Sequence, residues 1–129
     1  MATRSKQIRV LVVDDDRDTR DSLARLLSAH GMVVESCASA EDALDLLSRS
    51  DTDVIISDVS MPGMSGIEFA SQMRTMRPHT PIILLTGFAG VVDRAIAQGM
   101  MALLKPYEVS RLLSLIKDRL EGSRLLGDL

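Results

Sequence analysis

The sequence is poor in aromatic residues, with no tryptophan, one tyrosine and two phenylalanines among 129 residues. Proteins that bind single-stranded nucleic acid stack bases on such rings, so a base-stacking surface is not expected. The formal net charge is −3, which means that the chain also lacks the excess of lysine and arginine that binds a phosphate backbone. Nucleic acid is therefore not an expected partner.

The chain has a single cysteine, Cys37, which excludes an internal disulfide. No apolar run approaches the roughly 20 residues that a membrane-spanning helix needs, and no apolar signal core follows the polar, basic N-terminus. These absences predict a cytoplasmic protein without membrane contact. Hydrophobic residues make up 46% of the 129 residues, which suits one domain with a substantial core.

Five short apolar runs alternate with five segments that carry apolar residues at helical spacing. This alternation is typical of βαβ units with right-handed crossovers, and it predicts a parallel sheet with helices on both faces. We assign residues 1–7 to a flexible N-terminus, 8–121 to one domain and 122–129 to a tail or the beginning of a linker. The predicted strands are 8–13, 32–37, 53–58, 81–85 and 101–104, and the predicted helices are 19–30, 39–47, 64–76, 91–98 and 109–120.

Polar residues that could carry chemistry stand at the ends of four predicted strands. They are Asp14 and Asp15 after the first strand, Asp58 at the end of the third, Thr86 after the fourth and Lys105 after the fifth. The carboxyl ends of parallel strands meet at one edge of a sheet, where ligands bind. Three carboxylates there would repel one another unless a hard divalent cation such as Mg²⁺ lay among them.

A hydroxyl and an ammonium group opposite such a cation would suit the oxygens of a phosphoryl group. One carboxylate could then act as a nucleophile and form an aspartyl phosphate. Asp58 taken alone has a simpler interpretation as a turn-capping residue, because Pro62, Gly63 and Gly66 follow it closely. The grouping of chemistry-bearing residues at four strand ends favours the phosphoryl site.

Four motifs resemble the receiver domain of two-component response regulators, in both their order and their spacing. The resemblance extends from about residue 8 to residue 120. It implies a flavodoxin-like (βα)5 fold of the α/β class, with a five-stranded parallel sheet of order 2-1-3-4-5. The motifs are Val12-Val13-Asp14-Asp15, Asp58-Val59-Ser60-Met61-Pro62-Gly63-Met64-Ser65-Gly66, Leu85-Thr86-Gly87 and Leu104-Lys105-Pro106.

The resemblance implies a role for each acidic residue. Asp58 matches the phosphoacceptor, which takes its phosphoryl group from a histidine kinase or a histidine phosphotransfer protein. Asp15 and Asp58 match the direct carboxylate ligands of Mg²⁺, and Asp14 matches the partner that acts through water. The backbone carbonyl of Ser60 matches the remaining protein ligand.

The resemblance also implies the residues that respond to phosphorylation. Thr86 matches the switch hydroxyl, and Lys105 matches the lysine that pairs with acceptor or phosphoryl oxygens; the bond from Lys105 to Pro106 is cis in such domains. The sequence departs from the family at Ala102, where receivers usually carry an aromatic switch residue. We therefore expect the signal to pass through the segment from Thr86 to Val91, with Phe88 as a candidate reporter ring or a cover for the site.

Three classes of function remain open at this stage. The leading one is a phosphorylated signalling switch that is not an enzyme beyond its own phosphorylation and dephosphorylation. Ala102 suggests the second, a docking or dimerisation module, with a homodimer through the fourth helix, fifth strand and fifth helix. The third is a Mg²⁺-dependent phosphatase of the haloacid-dehalogenase type, which places its nucleophile on the first strand and needs a larger chain. The sequence leaves open whether the chain stands alone or belongs to a longer protein such as a hybrid kinase.

Overall fold

The structure, a computed structural model, describes residues 7–127, with side chains described as far as Glu121. Residues 1–6, most of the predicted flexible N-terminus, and residues 128 and 129 lie outside the described part of the chain. Strands and helices alternate without exception. Their bounds are β1 (Arg9–Val13), α1 (Arg17–Ala29), β2 (Val33–Cys37), α2 (Ala40–Leu47), β3 (Val54–Asp58), α3 (Gly66–Met76), β4 (Ile82–Thr86), α4 (Ala89–Ala97), β5 (Met101–Leu104) and α5 (Val109–Gly127).

The five strands form one parallel sheet in the order β2-β1-β3-β4-β5, which confirms the predicted flavodoxin-like topology. β3 pairs with β1 on one side and β4 on the other, so that Ile55 aligns with both Leu11 and Ile82. Apart from Asp58, the residues of β3 are fully buried, including Ser57. Continuous β-branched apolar runs are typical of strands covered on both faces, and β3 is the middle strand of this sheet.

Alternate side chains of the strands supply separate apolar clusters on the two faces of the sheet. On one face, Val10, Val12 and Ile56 meet leucines of α1 and α5. On the other face, Leu11 and Ile55 meet α2 and α3, whose largest buried side chain is Phe69. Burying a large apolar side chain stabilises the fold by about 1.5–3 kcal/mol, so these two clusters hold the strand ends in register.

Helix α4 covers the third apolar cluster, in which three of the buried side chains are those of alanines. Ala95 is the buried residue of α4, and it packs near Leu84 of β4 and Ala102 of β5. Phe88 precedes the helix without a side-chain hydrogen bond to cap it, and its ring is 65% exposed. The position where receivers usually carry an aromatic ring is therefore a buried methyl group beneath α4.

Four helix ends differ from the sequence prediction by two or more residues. Helix α3 begins at Gly66 instead of residue 64, and helix α4 begins at Ala89 instead of residue 91. Helix α1 begins at Arg17 instead of Thr19, because the Asp16 carboxylate caps it by accepting a hydrogen bond from the Thr19 amide at 3.1 Å. Helix α5 continues to Gly127, so the end predicted at Leu120 is wrong. A single glycine, Gly122, weakens a helix without ending it, and good helix formers follow it in the sequence.

Candidate functional site

The carboxyl ends of β1 and β3 bring three carboxylates together. Asp14 is 5% exposed, Asp58 is partly buried at the last position of β3, and Asp15 is exposed. One oxygen from each of the three lies within 4.8 Å of the other two. The structure thus gathers the three aspartates that the sequence analysis assigned to one metal site.

Lys105 approaches this cluster from the end of β5. Its ammonium nitrogen Nζ lies 2.6 Å from Oδ1 of Asp58, and the bond to Pro106 is cis. The Lys105 amide donates to the Thr86 carbonyl at 2.7 Å, which ties the ends of β4 and β5 together. Burial by itself would lower the pKa of the Lys105 ammonium, but the hydrogen bond and negative charge of Asp58 outweigh it and raise the pKa. Lys105 therefore carries its positive charge at neutral pH.

Asp14 is held by backbone and side-chain contacts on several sides. Its amide donates to the Cys37 carbonyl at 3.1 Å, and its Oδ1 accepts from the Asp16 amide at 2.9 Å. The Arg20 guanidinium donates to its backbone carbonyl at 2.8 Å. Burial raises the pKa of the Asp14 carboxyl, the Asp16 amide opposes that rise, and the charge of Asp58 adds to it. The negative charge of Asp14 is therefore less favourable in the folded protein than in water.

Thr86 lies on the strand beside the end of β3, and Ser60 follows β3 in the chain. Thr86 is 2% exposed, and its neighbour Leu85 pairs with Asp58 across the sheet. The Thr86 hydroxyl oxygen accepts a hydrogen bond from the Phe88 amide at 3.2 Å. Ser60 is exposed in the loop between β3 and α3, two residues after Asp58.

The loop between β3 and α3 is fastened tightly where it enters α3. The Gly66 amide donates to the Val59 carbonyl at 2.9 Å. A Cβ on Gly66 would lie 2.4 Å from the Asp58 carbonyl oxygen, so only glycine fits this close approach. Ser65 and Glu68 form a capping box at the start of α3.

Sequence reasoning did not find two residues that touch this region. Arg20 reaches the Asp14 carbonyl from α1, and Glu41 reaches the Met64 amide from α2. Arg20 gives no local signal, because an arginine on an amphipathic helix normally faces solvent. Glu41 has a ready explanation as an acid in the first turn of a helix, which complements the helix dipole.

The chemistry of this donor set fits a hard divalent cation. The grouped donors are carboxylate oxygens of Asp14, Asp15 and Asp58, which Mg²⁺ prefers over nitrogen or sulfur. The nearby Cys37 is buried, and burial raises the pKa of its thiol, so it does not offer a thiolate. The crowding of negative charge at a partly buried edge gives a cation a clear electrostatic reason to bind there.

The family model described as the response regulator receiver domain matches residues 10–117. The chain belongs to the response regulator receiver family. The matched range contains all of the site residues, from Asp14 to Lys105. Receiver domains are parts of two-component signalling systems, where they typically act as signalling switches.

The receiver is similar to several named response regulators. It is 42% identical over 112 residues to FleR of Pseudomonas aeruginosa, covering 84% of this chain and 24% of that protein. It is 38% identical over 110 residues to MprA of Mycobacterium sp. (strain KMS), covering 83% of this chain and 48% of that protein. The receiver therefore spans about half, or less, of the length of these relatives.

The receiver is also similar to the solved structure of TrrA from Thermotoga maritima, a response regulator in complex with Mg²⁺-BeF. The TM-score is 0.81 at 28% sequence identity, and the match covers 88% of this chain and 99% of that one. Receiver domains bind Mg²⁺ at an acidic pocket that corresponds to the aspartate cluster described above. Across the described residues of the present chain, no helix is both long enough and apolar enough to cross a membrane.

Proposed function

We propose that this receiver accepts a phosphoryl group on Asp58 from the phosphohistidine of a histidine kinase or a histidine phosphotransfer protein, in the cytoplasm, and acts as a conformational switch. The observation that carries the proposal is the position of Asp58 among its neighbours. Its side chain is 12% exposed, it lies beside the carboxylates of Asp14 and Asp15, and it contacts the ammonium group of Lys105. This combination supplies a nucleophile, a cation site and a group that binds anionic oxygens.

The Lys105 contact favours one oxygen of Asp58 as the nucleophile. Because Nζ holds Oδ1 at 2.6 Å, the second oxygen, Oδ2, is the one available to attack phosphorus. The new bond joins Oδ2 to phosphorus, and the phosphorus–nitrogen bond of the donor histidine breaks. The donor imidazole keeps the electron pair of that bond and takes up a proton. Lys105 then pairs with the phosphoryl oxygens or with the remaining oxygen of the acceptor, Oδ1 of Asp58.

The residues that would hold Mg²⁺ are Asp14, Asp15, Asp58 and the backbone carbonyl of Ser60. When bound, Mg²⁺ offsets the negative charge of the carboxylates and of the phosphoryl oxygens. Asp14 and Asp15 keep the cation at this edge of the sheet. Burial of Asp14, together with its hydrogen bond from the Asp16 amide, fixes the direction of that carboxylate.

Thr86 is the residue that would register phosphorylation, and it is joined to the start of α4. Its hydroxyl oxygen accepts from the Phe88 amide at 3.2 Å, and its hydroxyl proton is free to be donated elsewhere. Donation to a phosphoryl oxygen moves the hydroxyl towards Asp58 and strains the bond to Phe88. Because Ala102 has no ring to move, the signal passes through the segment from Thr86 to Val91, with Phe88 as the reporter.

A second candidate function is a docking or dimerisation module, and exposed apolar side chains favour it. Ile96 of α4 is 52% exposed, Leu104 of β5 is 42% exposed and Val109 of α5 is 38% exposed. These three residues lie on the elements through which a homodimer was predicted. In this alternative the buried methyl of Ala102 leaves α4 in one position, and association does not depend on phosphorylation.

Phosphorylation by acetyl phosphate distinguishes the two functions. Wild type, Asp58→Asn and the control Asp51→Asn are incubated with acetyl phosphate, with and without Mg²⁺, and intact masses are recorded. Asp51 is an exposed acid in the loop before β3, so its variant controls for the loss of one charge. We expect one labile phosphoryl group on wild type and on Asp51→Asn, dependent on Mg²⁺, and none on Asp58→Asn. No addition to wild type would favour the docking module, and addition to Asp58→Asn would refute the assignment of the acceptor.

A further inference from the structure

We propose that Glu41 is a positioning residue for the metal site, which it does not touch, because it fastens the loop that carries Ser60. The proposal rests on the proposed function in one respect, the binding of Mg²⁺ beside Asp58. It adds a residue from α2, an element that contributes none of the assigned site residues. The juxtaposition that carries it is a carboxylate of α2 bonded to the backbone of the loop between β3 and α3.

The two ends of this loop are fixed by contacts of their own. The Val59 amide donates to the Leu85 carbonyl at 3.0 Å, which continues the pairing of β3 with β4. At the other end the Gly66 amide closes onto the Val59 carbonyl at 2.9 Å. The capping box of Ser65 then sets the direction of α3. The span between these ends contains Ser60, and the contacts at the two ends do not fix its position.

Glu41 supplies a contact to this span from outside it. Its Oε2 accepts a hydrogen bond from the Met64 amide at 3.0 Å. The same oxygen would lie 2.8 Å from a Cβ on Gly63, so the carboxylate is seated directly against the Gly63 backbone. Gly63 has a φ of +77°, a conformation that glycine adopts without strain, and this turn points the Met64 amide towards α2.

This contact requires an acceptor oxygen that reaches the Met64 amide, and the Glu41 side chain supplies one. Both the acceptor and the turn at Gly63 are exposed, so without the bond water would solvate the loop and Ser60 would sample several positions. The carbonyl of Ser60 is useful as a ligand only when it stays near the carboxylates. Glu41 therefore acts on the metal site by reducing the number of positions that Ser60 occupies before the cation binds.

The test distinguishes the length of the Glu41 side chain from its charge as the property that the loop requires. Each explanation predicts that a different variant binds Mg²⁺ more weakly. Glu41→Asp keeps the charge and the helical position but shortens the side chain by about 1.5 Å, so it cannot reach the Met64 amide. Glu41→Gln keeps the reach and an acceptor oxygen but loses the charge. Asp42→Asn is the matched control, since Asp42 is the next acid in the same turn of α2 and is exposed.

The measurement is a Mg²⁺ titration of the 129-residue chain, followed by amide chemical shifts in ¹H–¹⁵N spectra. Loss of a hydrogen bond that orients a metal ligand typically weakens metal binding about 10–100-fold. For a contact made through one loop amide, we expect Mg²⁺ binding to weaken about three- to tenfold. We expect that loss for Glu41→Asp, with Glu41→Gln and Asp42→Asn within about twofold of wild type. The Met64 amide should also exchange faster in Glu41→Asp.

Labelling kinetics with acetyl phosphate provide a second readout. We expect the Mg²⁺ concentration for half-maximal labelling to rise in Glu41→Asp, while the rate at saturating Mg²⁺ stays that of wild type. A weaker Glu41→Gln with a normal Glu41→Asp would overturn the proposal in favour of a charge effect. Unchanged Mg²⁺ binding by Glu41→Asp would overturn it as well. No binding by wild type would instead refute the metal site itself.

Discussion

Replacing Asp14 by asparagine should stabilise the protein when Mg²⁺ is absent. Two carboxylates whose oxygens lie at most 4.8 Å apart repel by at least about 3.5 kcal/mol at an effective dielectric constant of 20. Asp14 faces two such partners, Asp15 and Asp58, and the ammonium group of Lys105 offsets part of this repulsion. Solvent at exposed Asp15 screens a further part. We expect a net gain of about 1–2 kcal/mol in the free energy of unfolding, since asparagine keeps an oxygen for the Asp16 amide.

The stability gained by Asp14→Asn should increase as the pH rises. The pKa of the Asp14 carboxyl is raised in the folded protein above its ordinary value of 3.8, first by burial. Below that ordinary value the carboxyl is protonated in both the folded and unfolded states, so the two proteins differ little. As pH rises through the raised pKa, the folded wild type must release a proton that it holds more tightly than the unfolded chain does. Its stability therefore falls relative to Asp14→Asn, and the difference is complete once the pH lies well above the raised pKa.

The assay is urea unfolding followed by circular dichroism, which suits a chain without tryptophan, at several pH values between about 3.5 and 7.5. In thermal unfolding of a domain of this size, each kcal/mol in the free energy of unfolding corresponds to about 3–5 °C in Tm. Mg²⁺ at ten times its dissociation constant should add about 1.4 kcal/mol to wild type and less to Asp14→Asn. A variant less stable than wild type at pH 7 without Mg²⁺, or a difference independent of pH, would refute the reasoning.

The remaining predictions concern the loop after Asp58 and the region of α4. Gly66→Ala should destabilise the fold by about 2–3 kcal/mol, because the new Cβ would lie 2.4 Å from the Asp58 carbonyl oxygen. Gly90→Ala should stabilise the fold by about 0.5–1 kcal/mol, because the space around its Cβ is open. Urea unfolding measures both, and a harmless Gly66→Ala would contradict the close approach. Ala102→Phe should cost about 1–3 kcal/mol in the same assay, since the site is 7% exposed. Phe88→Ala should change the free energy of unfolding by no more than about 0.5 kcal/mol but shorten the lifetime of the phosphorylated protein. Intact-protein mass measures that lifetime, and an unchanged lifetime with unchanged partner binding would exclude a role for the ring.

The alternation of strands with helices and the grouping of the site follow from features that are local in the sequence, whereas the strand order was predicted from the resemblance to receiver domains. The β-branched apolar run of β3 predicts a strand covered on both faces, and in the structure β3 lies at the middle of the sheet. Once strands alternate with helices, Asp14, Asp58 and Lys105 must meet at the carboxyl edge. Short-range signals of this kind needed no knowledge of packing to be interpreted.

Contacts between distant elements could not be predicted in the same way. Glu41 and Met64 are 23 residues apart, and their hydrogen bond depends on how α2 and α3 pack on one face of the sheet. The end of α5 was wrong for a different reason. The apolar residues at helical spacing end at Leu120, but the helix continues to Gly127, because an internal glycine such as Gly122 costs only about 1 kcal/mol.

Helix α4 buries few side chains against the sheet, and this affects how completely phosphorylation would shift the helix. In α4 Ala95 is the buried residue, Val91 and Val92 are half-buried and no side chain caps the helix, so we expect a shift of α4 to cost little free energy. If Asp58 is phosphorylated as proposed, a hydrogen bond from Thr86 to a charged phosphoryl oxygen would contribute about 1.5–3 kcal/mol, which would change the ratio of two positions of α4 about 10–150-fold. Moving an equilibrium from 1:99 to 99:1 takes about 5.5 kcal/mol. Phosphorylation alone should therefore produce a graded mixture of the two positions, and a partner that binds one of them would complete the shift.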